Sequence, residues 1–238
     1  MNKHSNRIQP AKGKLGILLP GMGAVTSTFI AGVELVKKGL GKPIGSLTQL
    51  QRIRLGKRYE NRNPLIKEFV DLASLEQLVF GGWDLFPDSV WEAALKAGVL
   101  DRSQLDPVKK ELEAIKPMTA VSDTAYIKNL KPTHFKKAKT KWELAQAVVA
   151  DIEAFKKKNG CDRVVMMWCG STEILPERAA VHETIEAFEA GLKANAPEIS
   201  PCMIYAYAAI SAGVPFANGS PNLAVDIPAL VEYARRHR

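Results

Sequence analysis

The chain has 238 residues, 46% of them hydrophobic and 24% charged, enough apolar material for one sizeable core and too much for a disordered chain. Its longest apolar runs, residues 15–19 and 164–168, fall far short of the roughly 20 residues that span a bilayer, which argues against a membrane protein. The formal net charge of +8 does not point to nucleic acid, because the densest lysine stretch, residues 128–141, holds a single aromatic, Phe135, and so no stacking platform for bases.

Cys161, Cys169 and Cys202 show neither pairing arithmetic nor a short paired spacing, so the sequence reads as a cytoplasmic protein without disulfides or a metal site. Residues 1–13 are polar, carry Pro10 and Gly13 and lack an apolar segment, which reads as a solvated tail and not a secretory signal. Residues 14–20 then form a short apolar run ending in Pro and Gly, a buried strand. In residues 24–38, Val25, Phe29, Val33 and Val36 recur at helical spacing and predict a helix with that stripe facing the core.

Residues 40–75 are broken by Gly41, Pro43, Gly45 and Pro64 around a basic middle, and read as an insertion with one short helix. A second strand is expected over residues 78–84 and a helix over 88–97 with Asp88 as its cap. A helix over 103–115 and a third strand over 117–121 come next. Residues 142–158 give the clearest helix: Trp142, Ala145, Val148 or Val149, Ile152 and Phe155 share a face, three lysines close it, and Gly160 ends it. The chain finishes with a strand over 163–168 and helices over 181–195, 202–212 and 226–237. Apolar strands alternating with amphipathic helices predict a Rossmann-like, doubly wound α/β domain over residues 14–238, its sheet mostly parallel.

Candidate site residues fall at the C-terminal ends of the expected strands, where open α/β sheets bind ligands. Gly21-Met22-Gly23-Ala24-Val25-Thr26 allows a tight turn and lets backbone approach a pyrophosphate at a helix N-terminus. Thr26 stands at the third glycine position of the usual fingerprint, and an ordinary strand-to-helix turn fits the same residues. No acid follows the turn by about 20 residues, the usual distance to the ribose-binding carboxylate. If residues 40–75 are an insertion, Asp84 takes that role; as a bare sequence feature it equally fits a capping acid. Cys169-Gly170-Ser171-Thr172 offers space and hydroxyl donors after a strand, and Asn218-Gly219-Ser220-Pro221 is a further turn.

Longer motifs carry a resemblance. Leu19-Pro-Gly-Met-Gly-Ala-Val-Thr26, Leu47-Thr-Gln-Leu-Gln-Arg-Ile-Arg54, Phe80-Gly-Gly-Trp-Asp84, Trp168-Cys-Gly-Ser-Thr-Glu173 and Gly213-Val-Pro-Phe-Ala-Asn-Gly-Ser-Pro221 resemble, in order, the N-terminal portion of bacterial-type myo-inositol-1-phosphate synthases. The resemblance implies bound NAD, with residues 21–27 (Gly21 through Ser27) on its pyrophosphate, Asp84 on the adenosine ribose, Val121 near the nucleotide, Cys169, Gly170, Ser171 and Thr172 along the cofactor, and Gly219 beside the nicotinamide. It further implies conversion of glucose 6-phosphate to inositol phosphate by internal oxidation, aldol closure and reduction, in a homotetramer. This chain departs from the family's glycine- and asparagine-rich phosphate loop at Ala24, Val25 and Thr26, and from a Thr-Ala-Asn-Thr segment at residues 169–172. The family's lysine-bearing catalytic motif is expected beyond Arg238, which implies a fragment or a split relative that is inactive alone. A stand-alone NAD-binding or regulatory module is the competing reading; an ordinary dehydrogenase lacks a positioned catalytic His or Lys.

Overall fold

The computed structural model describes residues 12–237, so the tail expected over residues 1–13 lies almost wholly outside the described residues. Five strands, β1 (Lys14–Pro20), β2 (Leu78–Asp84), β3 (Met118–Thr119), β4 (Cys161–Trp168) and β5 (Phe216–Asn218), form one sheet in the order β3-β2-β1-β4-β5. Every pairing is parallel. The longer helices are α1 (Ala24–Lys37), α2 (Val90–Ala97), α3 (Lys141–Asn159), α4 (Ile185–Ala194), α5 (Pro201–Ser211) and α6 (Pro228–Arg236).

Strand side chains alternate between the faces, and each face is covered. Leu18 points into a core with Ala145, Val148 and Ile152 of α3 and nearly all of α5. Its neighbour Leu19 points into the other core, with Ile30 of α1 and Val90 and Trp91 of α2. Trp83 is fully buried, which contributes on the order of 3 kcal/mol. Its indole N–H donates to Asp151 at 2.6 Å, and Lys136 pairs with the same carboxylate. After β1 the chain builds outward to β2 and β3, then crosses back to β4 and β5. The direction of winding reverses between β1 and β4, and a crevice opens at their C-terminal ends.

Several expectations are corrected. Val25 and Phe29 are exposed, and α1 buries Thr26, Ser27, Ile30, Ala31 and Glu34. Ile30 and Ala31 of α1 pack into the core shared with α2, and Phe29 meets Phe80 edge-on at 5.6 Å. Helix α2 is capped by Ser89, not Asp88: Ser89 and Glu92 close a reciprocal capping box, while Asp88 pairs with Lys96. The helix expected over 103–115 is three short pieces, Arg102–Leu105, Asp106–Val108 and Lys109–Glu113, because Pro107 cannot continue an α-helical ladder.

Pro228 at the first position starts the last helix two residues later than expected. Helix α4 begins at Ile185, capped by Thr184. Strand β5 was not foreseen, and β3 holds two of the five residues expected. Residues 40–75 leave the sheet as two short helices, Leu47–Leu50 and Ile66–Phe69, a 3-10 turn, Arg58–Glu60, and antiparallel bridges Arg52 to Leu65 and Leu55 to Arg62.

Candidate functional site

At the end of β1 the chain turns through Gly21, whose φ is +91°, a conformation that disfavours any Cβ. A Cβ there would also stand 2.3 Å from the Gly170 Cα, so the turn after β1 and the turn after β4 touch backbone to backbone. The Gly21 amide donates to Trp83 O at 2.8 Å, the Cys169 amide donates to Pro20 O at 2.8 Å, and the Thr26 hydroxyl donates to Gly21 O at 2.6 Å. These bonds fix the turn to β2, to the segment after β4 and to the first turn of α1. Gly23 is the N-cap of α1, no side chain caps this 14-residue helix, and a Cβ on Gly23 would meet no atom within 4 Å. The first amides of a helix have no intrahelical acceptor and carry the positive end of its dipole. They open here onto a cleft of about 460 Å³ lined by Gly23, Ala24 and Val25.

Asp84 ends β2 on the cleft wall. Its carboxylate accepts from the Met22 amide at 2.6 Å and from the Phe86 amide at 3.0 Å, which locks the second strand to the glycine turn. Burial raises its pKa above the usual 3.8, opposed by the bonds from Phe86 and Met22. Beyond Asp84 the wall is apolar, with Leu85, Phe86, Ile127 and Leu130. Tyr205 of α5 forms the floor between Trp83 and Trp168, at ring separations of 5.2 and 5.6 Å, and its hydroxyl accepts from the Val121 amide at 2.9 Å. Residues Cys169, Gly170, Ser171 and Thr172 form the opposite wall. Burial pushes the Cys169 thiol up, against a hydrogen bond with Thr26, so it is not a thiolate at neutral pH.

Ten of the residues singled out from sequence therefore share one cleft: Gly21, Gly23, Ala24, Val25, Asp84, Val121 and the four from Cys169 to Thr172. Four do not line it. The Met22 side chain is in the core below α1 and only its amide serves the site. Thr26 and Ser27 are buried, their hydroxyls donating to Gly21 O and Ala24 O. Gly219 directly follows β5 beside the end of β4, its amide donating to Trp168 O at 3.0 Å. The sequence reading missed Leu85, Phe86, Ile127, Leu130 and Tyr205. Ile127 and Leu130 lie beside and inside the lysine-rich stretch over residues 128–141; the available signal was their three-residue spacing. Two lysines of that stretch also turn inward: Lys136 to Asp151, and Lys141 to the carbonyls of Ala196 and Ile199.

A sequence profile described as myo-inositol-1-phosphate synthase matches residues 15–238. The chain belongs to the myo-inositol-1-phosphate synthase family. It is 48% identical over 231 residues to inositol-3-phosphate synthase 1 of Bacteroides thetaiotaomicron, covering 96% of this chain and 53% of that protein. It is 31% identical to inositol-3-phosphate synthase isozyme 1 of Arabidopsis thaliana, covering 94% of this chain and 47% of the relative. The crystal structure of inositol-3-phosphate synthase from Caenorhabditis elegans superposes with a TM-score of 0.86 at 25% identity, over 96% of this chain and 48% of that one.

The chain thus spans about half the length of the curated relatives it matches, and it is the NAD-binding portion of the family fold. The open, uncapped α1 N-terminus beside Gly23 fits a dinucleotide's pyrophosphate. Among the described residues no helix is long and apolar enough to cross a membrane, and no cluster of His, Cys, Asp or Glu is placed to hold a metal ion.

Proposed function

We propose that NAD lies along the C-terminal edge of the sheet, with its pyrophosphate on the α1 amides next to Gly23 and its adenosine ribose on Asp84. The observation that carries this reading is the conjunction at one point of an uncapped helix N-terminus, an open Gly23 and a carboxylate bonded to the same turn. Each Asp84 oxygen accepts one amide and retains a lone pair for a ribose hydroxyl. Leu85, Phe86, Ile127 and Leu130 give the adenine an apolar slot, and Gly170, Ser171 and Thr172 run along the nicotinamide half. Met22, Thr26 and Gly219 serve by bracing backbone, not by touching the cofactor. When bound, NAD supplies a hydride acceptor and donor.

If a carboxylate receives the ribose hydroxyls, it repels the 2′-phosphate of NADP. Asp84→Ala is expected to weaken NAD binding and to shrink the preference for NAD over NADP, both read by calorimetry. Full discrimination retained in that variant would make Asp84 a bracing acid for the turn alone.

In the complete family enzyme, by this reading, the substrate is glucose 6-phosphate, the product an inositol phosphate, and the assembly a homotetramer. This half holds the cofactor and leaves the sugar chemistry to residues elsewhere. Among the described residues the cleft lining includes no Lys, Arg or His to take the substrate phosphate or steady an enolate. Its titratable members are Asp84, engaged by two backbone amides and, by this reading, by the ribose hydroxyls, Cys169, held as a thiol, and Tyr205, whose hydroxyl burial pushes well above its ordinary value. None of them is free to act as a general base. The purified 238-residue chain with NAD and glucose 6-phosphate is therefore expected to release no inositol phosphate. Sustained release from a preparation free of longer synthases would place a complete site within this chain.

A further inference from the structure

The far end of the wall after β4 is tied down by Glu173. Glu173 follows directly on the cleft-lining Thr172, yet its side chain turns away from the cleft and is only 6% exposed. One carboxyl oxygen accepts from the Cys202 amide at 3.0 Å, in the first turn of α5, beside Ser200. The Glu173 amide donates to the Asn222 side-chain carbonyl at 2.9 Å, in the loop beyond β5. A single residue thereby fastens the cofactor loop both to the helix that carries Tyr205 and to the loop that follows β5. The second carboxyl oxygen of Glu173 and the side-chain nitrogen of Asn222 are buried without a hydrogen-bond partner among the described residues, an arrangement costly enough to require an account.

We propose that Glu173 is a positioning residue for the cofactor: in its neutral form it holds residues 169–172 against the glycine turn, and ionisation loosens that wall and lowers NAD affinity. This inference rests on the reading of the cleft as the NAD site. Burial raises the carboxyl from 4.5 to about 7, against hydrogen bonds from Ser200 and Cys202, with Asp123 raising it and Lys141 lowering it. The groups facing this region are Ser200 and Cys202 of α5, Asp123 and Tyr126 of the loop before α3, Lys141 at the start of α3, Glu198, and Asn222 with Asp226 beyond β5. Lys141 is neutralised in part by Asp123, its closest acid at 3.5 Å, so it does not pair fully with Glu173. Above neutrality a buried charge with an unpartnered oxygen must draw in water or move. The covalent continuity from Thr172 to Glu173 passes that movement to the cleft wall.

The sign of the linked stability follows from the raised value. A carboxyl that binds its proton more tightly when folded stabilises the fold below its unfolded value of 4.5, and that stability is lost as pH rises through about 7. The test measures NAD affinity by calorimetry at pH 6 and pH 8.5 for the chain, for Glu173→Gln and for Glu173→Ala, with thermal unfolding in parallel. The chain is expected to bind NAD roughly fivefold or more weakly at pH 8.5. Glu173→Gln, neutral at both, should keep the tighter affinity and lose the dependence, and Glu173→Ala should bind weakly at both. A Gln variant that retains the wild-type pH dependence would assign it to another group and overturn the proposal, as would an Ala variant with wild-type affinity. Gly23→Val run alongside separates the two readings. If it leaves NAD binding intact, the cleft is not the site; if it removes binding while the Glu173 variants behave as wild type, the positioning role alone is wrong.

Discussion

Gly21→Ala is expected to cost about 3 kcal/mol of stability, the sum of a left-handed backbone penalty for a residue with a Cβ and the strain of overpacking. The φ of +91° and the 2.3 Å approach to Gly170 Cα act together, and the obstacle is backbone, not a side chain that can swing aside. For a chain of this length the melting temperature should fall by about 10 °C. NAD affinity should fall with it, because relief of the clash pushes the turns after β1 and β4 apart and both line the cleft. A melting temperature within a degree of the unsubstituted chain would mean that the two turns are not in backbone contact.

The β1-turn-α1 unit was legible in the sequence because its determinants are local: a short apolar run, two glycines and a helical pattern, each fixing its own backbone. The face of α1 was not. Val25, Phe29, Val33 and Val36 form a regular stripe, but the buried side carries Thr26, Ser27, Ile30, Ala31 and Glu34, and no count of apolar residues finds a buried face that includes Thr, Ser and Glu. Asp84 was reachable only by allowing for the long excursion over residues 40–75, and the sheet order places it beside the turn.

The apolar slot was out of reach for a different reason. Ile127 and Leu130 are next to or within a lysine-rich loop whose charges dominate any window average. Tyr205 sits in a helix buried on every side, where periodicity carries no information. Strand β5 has three residues and is defined by its partner β4, not by its own composition. Glu173 stood inside a quoted motif, yet its part depends on Cys202 and Asn222, 29 and 49 residues away.

Gly23 differs from Gly21 in the way that matters for function. Its φ is −79°, and a Cβ would meet no protein atom within 4 Å, so a side chain there disturbs the fold little and projects into the space that the proposed placement gives to the pyrophosphate. Gly23→Val should therefore weaken NAD binding on the order of 100-fold, about 2.7 kcal/mol, while melting close to the unsubstituted chain. Gly23→Ala should fall between the two in affinity and guards against strain peculiar to a β-branched residue. Calorimetric titration of NAD into the folded Gly23→Val chain is the most direct measurement of where the cofactor lies. Loss of binding with the melting transition preserved is the predicted result, and unchanged affinity in a folded variant would contradict the placement of NAD on the α1 N-terminus.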